Sequence, residues 1–212
     1  MDWMTTLREN PVIAAFRSVE SVRLHDLNQV RVIFVLGGTI FDLPRLVEEA
    51  KESGKLLFVD IDLLKGIGKD APGVRFLAKE SHVDGIITTR SNLVKSAQKE
   101  GLVAVQRLFV LDSESLVGGL GVVEKSAPDA VEVLPGLILP KITQRIRMAT
   151  TIPIIAGGLI TEEHEVRRIL DAGALGISTT SSRLFAMAVN RAAGRPANAG
   201  SRSPAHISTE KT

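Results

Sequence analysis

At 212 residues the chain is long enough for one well-buried domain and short for two. With no cysteine there is no disulfide framework, thiolate metal site or thiol nucleophile, and 26 basic against 24 acidic residues leave a net charge of only +2, so any contact with nucleic acid or membrane must use a local patch. No apolar run approaches the ~18 residues that span a bilayer, and no basic segment leads into an apolar one near the N-terminus, which predicts a cytoplasmic protein without membrane contact.

In chain order, apolar runs predict strands at 12–16, 32–36, 56–61, 85–88, 103–108, 130–134, 153–156 and 174–177. They are mostly continuous rather than alternating, as parallel strands covered on both faces require. Between them LPRLVEEAKESG, RSNLVKSAQKEG and EEHEVRRILDAG carry apolar residues at helical spacing, and Gly54, Gly101 and Gly173 stand where helices end. Eight such units predict an α/β fold, a compact (β/α)₈ barrel of TIM type forming a single domain over 1–190. An open doubly wound sheet is the competing fold, but the first turn, PVIAAFRSVE, lacks the glycines that would mark it. The Ala-, Gly-, Ser- and Pro-rich segment 191–212 has no periodicity and is expected to be a disordered tail.

The segment 151–182 carries the most specific signal. A strand ends in Gly157-Gly158, a helix follows, and the next strand ends in the hydroxyl run 178–182. The two loops lie one βα unit apart and so share a rim, the arrangement with which such barrels hold phosphate after strands 7 and 8. Gly157, Gly158, Ser178, Thr179 and Thr180 are the candidate phosphate ligands.

Other strand ends are polar too: Arg17, Asp60 and Asp62, Thr89 and Arg90, Gln106 and Arg107, and Glu132. Each arginine alone is equally consistent with a surface residue opening a helix, and the aspartates with a structural ion pair. Glu132, between two valines in an apolar strand, needs a partner. None of the four histidines (His25, His82, His164, His206) falls at a strand end, and no lysine stands near a strand's finish, so Schiff-base and histidine acid–base chemistry are poorly supplied. The rim suits a small phosphorylated polyol.

Taken in order, PVIAAFR, VDIDLLKGIGKD, GIITTRS, VQRLFVLDS, VEVLPG and IPIIAGGLI…AGALGISTTSSRLF resemble the glycerol uptake operon antiterminators over about residues 10–185. The resemblance implies a regulator rather than a catalyst: a barrel that responds to glycerol 3-phosphate and binds the leader of a glycerol-catabolism mRNA, preventing premature termination and stabilising the message. It implies no catalytic residue, metal or cofactor. On it, Gly157, Gly158, Ser178, Thr179 and Thr180 hold the effector phosphate, and Asp62, Arg90, Gln106 and Glu132, with Arg17 and Asp60 beside them, line the pocket. Two positions depart from the family's pattern. Asp60 stands where histidine is common, adding negative charge, and Thr161 stands where a basic residue is common, removing positive charge.

Composition itself does not indicate RNA binding: there is no tyrosine and aromatics are 4%, which argues against a stacking platform and leaves phosphate contacts from Lys and Arg. Residues 133–161 contain no acid but carry Lys141, Arg145 and Arg147, the candidate RNA-binding patch; a solvated helix face is the equal alternative. The competing function is a phosphate-binding barrel enzyme acting on a glycerol phosphate, with Asp60, Asp62 or Glu132 as acid, base or metal ligand. The sequence leaves a homo-oligomer open.

Overall fold

The computed structural model describes residues 2–20 and 22–187, and each of the eight apolar runs forms a strand in it. These are β1 (Val12–Phe16), β2 (Val32–Val35), β3 (Leu56–Asp60), β4 (Gly85–Thr88), β5 (Val103–Phe109), β6 (Ala130–Leu134), β7 (Ile154–Gly157) and β8 (Gly176–Thr179). Each pairs in parallel with the next, and β8 pairs with β1, closing the barrel. The expected strand positions hold to within two residues. The largest displacement is at β8, where the ladder begins only at Gly176, opposite Ile155. The tail assigned to 191–212 lies outside the described residues.

Helices alternate with the strands: α1 (Trp3–Glu9), α2 (Leu43–Glu52), α3 (Ala71–Lys79), α4 (Ser91–Lys99), α5 (Ser113–Ser126), α6 (Leu139–Ala149), α7 (Glu163–Asp171) and α8 (Ser182–Phe185). Gly54, Gly101 and Gly173 follow α2, α4 and α7 with φ of +62°, +82° and +101°, the left-handed conformation that ends a helix. α1 was not foreseen. Asp2 caps it, accepting from the Thr5 backbone N–H at 3.0 Å, and its Leu7 and Trp3 pack with the barrel interior. The N-terminal end of the barrel is thereby plugged, and a ligand must enter from the other rim.

Side chains alternate across each strand. Ile13, Ala15, Val32, Phe34, Leu56, Phe58, Ile87, Val105, Ala130 and Ile155 form one buried cluster inside the barrel. Their strand neighbours Ala14, Ile33, Leu57, Ile86 and Ala104 pack outward against helices. The interior is therefore a filled core, and only its last layer, at the C-terminal strand ends, is polar.

Gly85 makes room in this core. A Cβ there would lie 2.5 Å from a ring carbon of Phe58 and 2.6 Å from the Val103 carbonyl oxygen, which the β-ladder holds in place. Gly85→Ala is expected to lower stability by about 1–3 kcal/mol in urea unfolding. An unchanged midpoint would show that β4 and β5 are less tightly packed than this geometry requires.

Candidate functional site

Continuing the interior alternation by two residues brings up Asp60 after Phe58, Arg107 after Val105, Glu132 after Ala130, Gly157 after Ile155 and Ser178 after Gly176. These five residues make the top layer. Arg107 Nη1 donates to Asp60 Oδ2, and Arg107 Nε donates to Glu132 Oε2 at 2.8 Å. Ser178 Oγ donates to the other oxygen, Glu132 Oε1, at 2.6 Å. A continuous chain of charge-assisted hydrogen bonds thus runs from β3 through β5 and β6 to β8. Asp60 is 0% and Glu132 1% exposed, so both carboxylates depend on these contacts.

Gly157 is part of the same construction. A Cβ on it would lie 2.6 Å from both Glu132 Oε1 and Ser178 Oγ, so the first glycine of the pair admits that hydrogen bond. Gly158, with φ of +77°, then turns the chain out of the strand.

Sequence reasoning chose the wrong neighbour on β5. Gln106 was expected in the pocket, but it lies on the outer face of the sheet, where its Oε1 accepts a hydrogen bond from Ser126 of α5. Arg107, one residue on, faces the interior opposite Glu132. The hydroxyls of the phosphate loop are also more committed than expected. Ser178 serves Glu132; Thr179 Oγ1 donates to the Ile160 carbonyl at 2.8 Å and accepts from the Ser181 N–H at 3.1 Å. Thr180 is exposed, and its hydroxyl has no partner among the described residues.

Around the mouth, Asp62 joins two loops. It accepts from the Thr89 backbone N–H at 2.7 Å, from Thr89 Oγ1 at 2.9 Å and from Thr88 Oγ1 at 3.1 Å, with Arg90 Nε at 3.5 Å. Arg17 is exposed at the end of β1 and makes no side-chain ion pair among the described residues. Lys69 was missed. Its Nζ donates to the Leu64 carbonyl, and burial lowers its pKa against the pull of Asp62 and Asp60, so it stands within electrostatic reach of both. Its place in the long β3–α3 loop, nine residues after the end of β3, gave no positional signal. Among the described residues no group of three or more His, Asp or Glu could hold a metal ion.

The charge added by Asp60 is answered by Arg107. Burial raises the Asp60 carboxyl above its ordinary value, and Arg107 opposes that rise. Burial would lower the Arg107 guanidinium, but Glu132 and Asp60 outweigh it and keep the charge.

Residues 12–185 match the family described as glycerol-3-phosphate responsive antiterminator. The chain belongs to that family. The uncharacterized protein YgcP of Escherichia coli K12 is 36% identical over 191 residues, covering 89% of this chain and 98% of its own. The crystal structure of a glycerol uptake operon antiterminator regulatory protein from Listeria monocytogenes superposes with a TM-score of 0.74 at 31% identity, over 82% of this chain and 93% of its own. A glycerol uptake operon antiterminator-related protein from Thermotoga maritima gives 0.75 at 35% identity, over 84% and 99%.

In this antiterminator-family barrel the basic residues of α6 are partly used for packing. Arg147 Nη2 donates to the Gly173 carbonyl at 2.7 Å, clasping the turn before β8, and Arg145 Nη1 reaches Ser113 Oγ at 3.3 Å. Lys141 is exposed. No helix among the described residues is long and apolar enough to cross a membrane.

The top layer has a titration signature. Because Asp60 is raised in the folded state above the ordinary aspartate value of 3.8, the native chain holds that proton where the unfolded chain has lost it. This carboxyl therefore favours folding most below about pH 4, and the advantage is lost as pH rises through the folded value. Asp60→Asn removes the term while preserving shape. The unfolding free energy of wild type minus that of Asp60→Asn should fall as pH rises from about 4 towards neutrality, by at most about 1.4 kcal/mol per unit. A difference that grows with pH would contradict this electrostatic reading.

Proposed function

We propose that this chain is a cytoplasmic, glycerol 3-phosphate-gated RNA-binding antiterminator, which binds and stabilises the leader mRNA of a glycerol-catabolism operon. The observation that carries the reading is the contact of Glu132 with Ser178 across Gly157, which puts a polar, hydrogen-bonded layer directly beside the two loops after β7 and β8. A small molecule with a phosphate at one end and hydroxyls at the other matches that juxtaposition. Family membership over residues 12–185 supports glycerol 3-phosphate as the effector.

In this assignment the phosphate rests on Gly157–Gly158 and on 178–180. Gly158 and Thr180 face it, while Ser178 and Thr179 hold the turn in shape. Arg17, Asp60, Asp62, Arg90 and Glu132 remain the pocket residues of the proposal, joined by Arg107 and Lys69. Lys69, Arg90 and Arg17 supply positive charge at the mouth, which offsets the missing cation at Thr161. Asp60 and Glu132 each have a hydrogen-bonded partner, so neither stands as a free acid or base, and this supports binding over turnover.

Gating requires the effector to bind the RNA-competent state more tightly than the other. With the 5′ leader transcript of the glycerol operon in the chain's own genome, glycerol 3-phosphate at fixed salt is expected to raise affinity about tenfold or more. The affinity should also fall steeply with salt, because phosphate contacts release counterions. Equal RNA affinity with and without the effector would sink the coupling.

A further inference from the structure

The loops after β1, β2, β3 and β4 are knitted into one surface. The Leu36 N–H donates to the Phe16 carbonyl at 2.7 Å, and Gly37 packs on the Arg17 carbonyl. The Lys65 N–H donates to the Gly38 carbonyl and the Ile40 N–H to the Lys65 carbonyl, both at 3.0 Å, forming a bridge between Thr39 and Lys65. Asp62 then ties the same β3–α3 loop to Thr89 and Arg90.

This surface combines exposed apolar side chains with exposed cations. Phe41, next in the chain to Ile40, whose N–H bonds Lys65, is 85% exposed, and Leu63 is 46% exposed. Lys65 and Arg17 are exposed and make no side-chain ion pair among the described residues, and Arg90 is only loosely held by Asp62. The carboxylates of these loops are turned inward to hold them. Asp42 accepts from the Thr39 N–H at 2.7 Å, Asp70 from the Gly73 N–H at 2.9 Å, and Asp62 from Thr88 and Thr89. Among the described residues Glu20 and Asp26 are the exposed carboxylates on these loops without such a bond. The result is a surface that carries an exposed aromatic ring, whose face suits a base, and exposed cations, whose charge complements a phosphate backbone.

Resting on the RNA-binding reading above, we infer that single-stranded leader RNA docks on this β1–β4 quadrant of the barrel mouth, with Phe41 stacking a base and Lys65, Arg17 and Arg90 contacting phosphates. The site expected on α6 is the weaker candidate, since Arg147 is committed to Gly173 and Arg145 reaches Ser113. The quadrant borders the pocket through Asp62 and Arg90, so an effector that steadies these side chains steadies the RNA surface with them.

The test uses the full chain, saturating glycerol 3-phosphate and fluorescently labelled leader transcript. Phe41→Ala is expected to weaken RNA binding about tenfold. Lys65→Ala should weaken it and flatten the slope of log affinity against log salt by roughly 0.7. Both variants should keep the calorimetric heat of glycerol 3-phosphate binding and the wild-type melting curve, because both side chains are exposed and outside the pocket. Wild type that binds no RNA overturns the underlying reading and the surface with it. Wild type that binds, with Phe41→Ala and Lys65→Ala binding equally well, overturns the surface alone. Loss in Lys141→Ala/Arg145→Ala without loss in the other two returns the RNA to α6. A change in mass by light scattering on Phe41→Ala, with RNA affinity unchanged, assigns the quadrant to a second copy of the chain and also overturns the proposal.

Discussion

Two carboxylates with 0% and 1% of their surface exposed cannot both stay ionised at the top of an apolar barrel unless a cation is fixed between them, and Arg107 is that cation. Its guanidinium reaches Asp60 on β3, across β4, and Glu132 on the neighbouring β6 at once. Replacing such a network by well-packed apolar residues is generally neutral or stabilising. The eight-stranded barrel beneath it is already closed with an apolar interior, so this layer is not needed to hold the fold. A buried polar layer at the open end of a barrel whose other end is plugged by α1 supports the reading that binding occurs at that end.

The glycine pair that dominates the sequence takes its meaning from this layer. Gly157 is a glycine because the Glu132 carboxylate and the Ser178 hydroxyl meet where its Cβ would stand. Gly158 is a glycine because the chain must turn at positive φ to leave β7. Only the second is free of that internal contact. The hydroxyl run divides likewise: Ser178 and Thr179 fix the turn, and Thr180 is left outside it. The loops are shaped first by the protein's own contacts and offer a ligand what remains.

The strands, their order, the helix-ending glycines and the rim carrying the polar residues were all legible in the sequence, because buried parallel strands are long apolar runs and helices repeat every 3.6 residues. The facing of side chains was not. In a strand covered on both sides, inward and outward positions are both apolar, so the run contains no mark of phase. Gln106 and Arg107 are adjacent polar residues on β5, and only the pairing of Arg107 with Glu132 reveals which one looks in. Glu132 was legible because a carboxylate between two valines has to be answered. Lys69 was not, since it reaches the site from a loop whose path depends on contacts with Leu64 and with the β2–α2 loop.

The rim uses its two charges differently, for a reason rooted in backbone chemistry. Loop and helix starts expose N–H groups, which carboxylates satisfy and ammonium or guanidinium groups cannot. Asp42, Asp62, Asp70 and Asp112 are therefore drawn into the loops that they stabilise. The cations have fewer such groups to serve, so a chain of nearly zero net charge presents Arg17, Lys65 and Arg90 outermost at the mouth. That segregation reconciles a composition without any sign of nucleic-acid binding with membership of an antiterminator family. It also ties pocket to surface. Asp62 holds Thr89 and faces Arg90, so on the proposed reading a ligand that engages this corner acts on both, and by linkage whatever binds the surface must favour the ligand equally.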